Sequence, residues 1–142
     1  MTLTLRAATP ADIDAVLMLW GDAAENRSRP ADTREAVTTL LDRDPTALLI
    51  ADDASDAGVV GTVIVGWDGW RCHLYRLAVH PDHRRHGVGH ALLAAAEDRA
   101  RGFGATRMDA MVLDDNDLGQ AIWRARGYAQ QPDWRRWIKP LG

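Results

Sequence analysis

The sequence predicts an α+β sandwich built on one mixed, mostly antiparallel sheet with about four helices against it. Three observations carry that reading. The 142 residues suit a single domain, 1–142, and a domain of that length buries roughly 68–70% of its unfolded-chain surface, enough for a core without staples. Alternating or β-branched segments interleave with segments of helical spacing in the order βααβββαβαββ. Between two of the strand segments, Asp68-Gly69 is a hairpin turn signal.

Leu3 to Ala7 alternates and reads as a short strand. Thr9-Pro10-Ala11-Asp12 has the form of a helix start, and Ile13, Val16, Leu17 and Trp20 follow at helical spacing, which predicts a helix from about residue 11 to 24. Asn26 to Asp32 is polar and reads as a loop. Thr33 caps a second helix carrying Ala36, Val37, Leu40 and Leu41, and Asp44-Pro45 ends it. Ala47 to Ala51 is a strand, Asp52 to Gly58 a turn-rich loop, and Val59 to Trp67 a β-branched strand. After the hairpin turn, His73 to His80 is a strand ended by Pro81-Asp82. Gly87 to Arg101 reads as an amphipathic helix with Leu92, Leu93, Ala96 and Ala100 inward and Gly102 as its C-cap. Thr106 to Leu113 is a strand, Asp117 to Arg126 a short helix stopped by Gly127, and Tyr128 with Trp134 to Lys139 a last hairpin. No internal repeat, linker or low-complexity segment interrupts this order.

Hydrophobic residues make up 46% and charged residues 26%, which excludes a disordered chain. The apolar runs are too short to cross a membrane as a helix. Met1 to Arg6 has no basic stretch followed by an apolar block, so no secretory leader is expected. One cysteine, Cys72, cannot form an internal disulfide, which fits a reducing, cytoplasmic compartment. Seventeen basic against twenty acidic residues give a net charge of −3. That balance argues against nucleic acid as the main partner but leaves room for a basic patch facing a phosphorylated ligand.

The stretch Leu77-Ala78-Val79-His80-Pro81-Asp82-His83-Arg84-Arg85-His86-Gly87-Val88-Gly89 is the most informative. A strand ends, an arginine pair follows, and Gly-x-Gly opens a helix. Glycine lets backbone approach a ligand closely, and a helix N-terminus offers unpaired N–H groups to an anion. Two nucleotide loops are excluded. There is no Gly-x-x-x-x-Gly-Lys, and the third glycine of Gly-x-Gly-x-x-Gly is missing because position 92 is Leu.

Arg84-x-x-Gly87-x-Gly89 after Leu77-Ala78-Val79-His80-Pro81 resembles motif A of the GCN5-related N-acetyltransferases (GNATs). Asn116 to Tyr128 is similar to that family's second motif, an asparagine followed by a short helix and a Gly-aromatic pair. Gly69-Trp70-Arg71 running into Tyr75 to Val79 looks like small bacterial members of unassigned substrate. The resemblance covers nearly the whole chain and implies a GNAT-like fold with acetyl-CoA as co-substrate. It implies that the amides of Arg85, His86, Gly87, Val88, Gly89 and His90 cradle the pyrophosphate, with Arg84 adding charge. Main-chain groups of Leu77, Ala78 and Val79 would pair with the pantetheine arm like an added strand, and Asn116 matches the asparagine that contacts that arm.

The implied reaction is direct acetyl transfer to a primary amine. An aliphatic amine, with a pKa near 10.4, attacks only when neutral, so a base must take its proton. In the family a strand residue six positions before the motif's valine often does so, usually as glutamate; here that position is His73. Strand parity places His73, Tyr75, Leu77 and Val79 on one face, and imidazole titrates near neutrality. Glu25 is a weaker candidate. Trp123 is the clearest departure from the pattern, because the family usually has a tyrosine there to protonate the departing thiolate. Indole offers an N–H donor but no useful acidity. His73, Tyr75 and Trp123 are therefore the catalytic candidates.

His80, His83, His86 and His90 cross a strand end, a loop and a helix start, so no one face collects them, and they read as polar loop positions without a metal. Among the six tryptophans, Trp20, Trp67 or Trp70 could face an acceptor. The expected partner is a small-molecule amine, with no nucleic acid and no membrane. A protein N-terminal or lysine acetylase and a non-catalytic acyl-CoA-binding module are the alternatives. The oligomeric state stays open, a homodimer included.

Overall fold

In the computed structural model, residues 2–23, 31–55, 58–114 and 116–142 are described. Glu25, the end of the first predicted helix and residues 26–30 of the predicted loop lie outside them. The chain divides into two compact units, Met1–Met111 and Val112–Gly142.

In the first unit, β1 (Leu3–Ala7), β2 (Leu48–Asp53), β3 (Gly58–Trp67), β4 (Cys72–Val79) and β5 (Met108–Ala110) form one sheet in chain order. The first four are antiparallel, and β5 runs parallel to β4. α1 (Ile13–Ala23) and α2 (Arg34–Arg43) lie on one face, where Val16, Trp20, Val37 and Leu41 pack with Leu48, Ile50, Ile64 and Ala78. α3 (Val88–Gly102) covers the other face. It comes so close to β3 that a Cβ on Gly61 would lie 2.8 Å from Val88 and 2.9 Å from Leu92, so glycine there is what lets the helix seat. The helix starts follow their sequence signals. Thr33 accepts the Ala36 N–H at 3.0 Å. Asp12 accepts the Thr9 N–H at 2.8 Å and closes a short 3-10 turn over Pro10–Asp12, ahead of α1.

Asp12 also receives Arg6 through two bonds of 2.8 and 2.9 Å. The Arg6 guanidinium holds the Asp12 carboxyl down to about 2. A carboxyl depressed on folding stabilises the fold above its unfolded pKa near 4, and loses that contribution as pH falls toward the folded value. Arg6 is 37% exposed, so solvent screening leaves about 1–2 kcal/mol. Urea melts should show Asp12→Asn less stable than wild type by that amount at pH 7, with the gap closing between about pH 4 and 2. A gap independent of pH would assign the loss to the turn instead of the ion pair.

β4 carries the main departure from the sequence reading. Ile64 pairs with Tyr75 and Thr62 with Ala78, so Val63 faces two residues, Arg76 and Leu77. Arg76 has φ 51°, which makes this a β-bulge. The bulge reverses strand parity. His73 and Tyr75, opposite Gly66 and Ile64, lie on the α1 face, whereas Leu77 and Val79 lie on the α3 face. The four therefore do not share one face. Buried Thr62 secures the bulge by donating to the Arg76 carbonyl at 2.8 Å and accepting from Trp20 Nε1 at 2.8 Å. The Arg76 side chain lies over the Trp20 ring and pairs with Asp32 at 2.9 Å.

Two smaller corrections follow from local bonding. Gly102 is the last residue of α3 rather than its cap; the left-handed turn falls at Gly104, φ 85°. The strand expected over 106–113 is only the three residues of β5, and its pairing stops at Leu74, before the bulge.

The second unit contains α4 (Asp117–Ala125), and residues 128–142 form no strand. The expected last hairpin is therefore absent. Tyr128 closes α4 instead, and Trp134, Trp137 and Ile138 are exposed. A lone two-stranded ribbon gains too little burial to hold itself together.

Candidate active site

The loop after β4 is built by local chemistry. His80 N–H donates to the Val60 carbonyl at 2.8 Å, the last sheet bond, and Pro81–His83 form a 3-10 turn. Arg85 and Gly87 then take left-handed conformations, φ 66° and 80°. Gly87 is the N-cap of α3 and has no side chain to offer. Among the described residues no side-chain cap is found on the first amides of α3, which start at Val88 and buried Gly89. Arg84 is half-buried, while Arg85, His86 and His90 are exposed. Beside the loop, β5 pairs only with Cys72 to Leu74. Among the described residues no strand covers that edge of β4 from Tyr75 to Val79, the edge on which an extended ligand could add.

On the α1 face, His73 and Tyr75 stack with ring centroids 6.4 Å apart. The His73 side chain is 36% exposed, and its Nδ1 lies 3.9 Å from Asp109 Oδ2 on β5. Tyr75 lies over Gly66, where a Cβ would meet its hydroxyl at 2.8 Å. Burial pushes the Tyr75 phenol above its ordinary range, so it remains a proton-bearing donor. In the adjoining hairpin turn, the Arg71 and Trp70 N–H groups hold the Asp68 carboxylate low, at 2.6 and 2.8 Å. Trp20 is in the core, half-buried Trp67 stacks on Phe103 at 5.5 Å, and Trp70 is exposed.

In the second unit, Asn116 caps α4, accepting the Gly119 N–H at 3.0 Å. A Cβ on Gly119 would collide with that amide, which explains the glycine. At the other end, Tyr128 N–H bonds the Trp123 carbonyl and Gly127 N–H the Arg124 carbonyl, each at 3.0 Å, with Gly127 at φ 92°. This is a Schellman closure, and its apolar contact is Trp123 edge-on to Tyr128 at 4.9 Å. Trp123 is buried there.

The profile of the acetyltransferase (GNAT) family matches residues 13–128. The chain belongs to that family. A Yersinia enterocolitica acetyltransferase is 30% identical over 130 residues, 91% of this chain and 89% of the relative. A Salmonella typhimurium protein solved with its cofactor acetyl-CoA superposes with a TM-score of 0.74 at 20% identity, covering 91% of this chain and 80% of that one. A ribosomal-protein-alanine N-acetyltransferase from Brucella melitensis gives 0.71 at 27% identity, covering 87% and 83%.

This GNAT protein is thus an acyltransferase with the α+β fold expected of it. The sequence singles out the loop and His73 as candidates, whereas the placement of Asp109 opposite His73 and the close approaches at Gly66 and Gly61 arise only from cross-strand register and packing, which local spacing does not encode. Among the histidines, His80 and His83 come together edge to face at 5.7 Å, and His83 Nε2 lies 3.5 Å from buried Asp53. Among the described residues no group of three or more His, Cys, Asp or Glu is placed to hold a metal ion, and no helix is long and apolar enough to cross a membrane.

Proposed function

We propose that this GNAT acetyltransferase uses acetyl-CoA to acetylate a primary amine of a small molecule, in the cytoplasm. The observation that carries the co-substrate is the uncapped, glycine-opened start of α3 next to the uncovered edge of β4. Uncapped amides, a left-handed glycine and two arginines fit a pyrophosphate. When bound, acetyl-CoA supplies the thioester. The amides of Arg85 to His90 hold its phosphates, Arg84 adds charge, and Leu77 to Val79 pair with its arm. His73 takes the amine's proton, and Tyr75 donates a hydrogen bond beside it. Asn116 contacts the arm on the family pattern. The family match reaches from residue 13 to 128 and supports reading the chain as one acetyltransferase domain. The half-buried His73, near the carboxylates of Asp68 and Asp109, suits a single cationic group and favours a small amine.

The Brucella likeness favours a second reading, a protein N-terminus as acceptor. Incubation with acetyl-CoA and a panel of small amines and N-terminal peptides, with free thiol followed, separates the two. Turnover on the amines is expected. Turnover on peptides alone would establish the second reading, and none on any acceptor would remove the proposed reaction.

Trp123 stands where the family has its tyrosine acid. Releasing the thiolate unprotonated at pH 7, with a thiol pKa of about 8.5, costs roughly 2 kcal/mol, which leaves a working but modest enzyme. Trp123→Tyr is expected to raise kcat by up to about 100-fold. An unchanged or lower kcat in a variant with wild-type melting would show that no acid is missing.

A further inference from the structure

We propose that Asp109 is a positioning residue for His73, holding the imidazole proton on Nδ1 and leaving Nε2 to take the acceptor's proton. The inference rests on the reading of His73 as the base. Parallel pairing of β4 with β5 sets His73 directly opposite Asp109, and His73↔Asp109 is the middle of only three pairs. Asp109 faces Nδ1 at 3.9 Å, longer than a hydrogen bond. Such contacts are often long without substrate and tighten with it. The carboxylate is itself fixed, since Arg107 Nε reaches one oxygen at 2.9 Å and Arg107 Nη2 the other at 3.3 Å. The Tyr75 ring lies nearly parallel to the imidazole, centroids 6.4 Å apart, and Tyr75 is itself seated by Gly66. The ring is therefore flanked by a neighbour on its own strand and by a charge on the next.

A neutral imidazole carries one N–H and one lone pair, and the hydrogen bond at one nitrogen decides which is which. A carboxylate can only accept, so it selects the N–H at Nδ1. Nε2 then takes one proton from the acceptor ammonium. The electron pair stays on the acceptor nitrogen for attack, and the new imidazolium charge lies against Asp109. The other charges around the ring are Arg107 on β5 and Asp68 in the hairpin. α1, packed on β4, turns its acidic residues Asp14 and Asp22 to solvent.

The test reads the tautomer and the rate separately. Two-bond proton–nitrogen correlation spectra of 15N-labelled protein at about pH 8, above the ordinary imidazole range, identify which nitrogen bears hydrogen; His73→Ala assigns the signal. The Nδ1–H form is expected in the wild type, and the Nε2–H form in Asp109→Asn, whose amide can donate to Nδ1. Asp109→Asn should lower kcat about ten-fold, less than in a fully buried pair, with KM for acetyl-CoA unchanged. Asp109→Glu should restore most of it. In a His73→Ala background Asp109→Asn should have no further effect. An Nε2–H wild type overturns the inference while leaving His73 as base, and needs no variant to see. A tautomer switch without loss of rate overturns it together with the base. An equal loss in the His73→Ala background places Asp109's effect elsewhere and overturns it too.

Discussion

Gly89→Asp is expected to weaken acetyl-CoA binding by at least about 100-fold. Gly89 is the second residue of α3 and is buried, two positions after the left-handed Gly87. On the proposed cofactor site, a carboxylate there adds bulk beside the first amides of α3 and sets a negative charge against the pyrophosphate. Two like charges about 4 Å apart repel by about 4 kcal/mol at the effective dielectric of a protein surface, more than enough for the loss. Burying a carboxylate costs stability as well, so the binding loss is read only in variants that remain folded. Gly89→Ala, without the charge, should lose much less. Calorimetry on variants with wild-type circular dichroism reads the difference, and unchanged affinity in the folded Asp variant would place the cofactor elsewhere.

His73→Ala should lower kcat by about 10²–10⁴-fold at neutral pH, the usual contribution of a general base. Affinity for acetyl-CoA should be untouched, because His73 lies on the sheet face opposite Leu77 and Val79. The deficit should shrink as pH rises toward about 10, where the acceptor amine sheds its own proton. The shape is what identifies the role, since a merely structural loss would persist at every pH. A pH–rate profile that superimposes on wild type would remove His73 from the mechanism.

The turn after β4 and the start of α3 were legible in the sequence because their signals are local. Pro81 stops a strand, and Gly87 both turns the chain and starts a helix. The same holds for the hairpin at Asp68-Gly69 and for Thr33 at the start of α2. The bulge was not legible. Leu74 to Val79 supplies apolar residues at positions of either parity, and nothing in an arginine announces a positive φ at residue 76. The pairing of His73 with Asp109 depends on the register of two strands joined through α3, which no local pattern encodes. At Trp134 to Lys139 the periodicity was readable, but a strand needs a partner, and the local spacing says nothing of one.

The single inserted residue in β4 divides the strand's labour. Side chains ahead of it, at His73 and Tyr75, face one layer of the protein, while Leu77 and Val79 beyond it face the other. A threonine hydroxyl, with a tryptophan behind it, fastens the joint between them. Over evolutionary time such a joint makes the two halves separable. On the proposed site, exchanging residues at 73 or 75 would retune which acceptor is taken and how fast, without disturbing the half of the strand assigned to the donor. A lineage built on that site would diversify its substrates while its donor remained fixed.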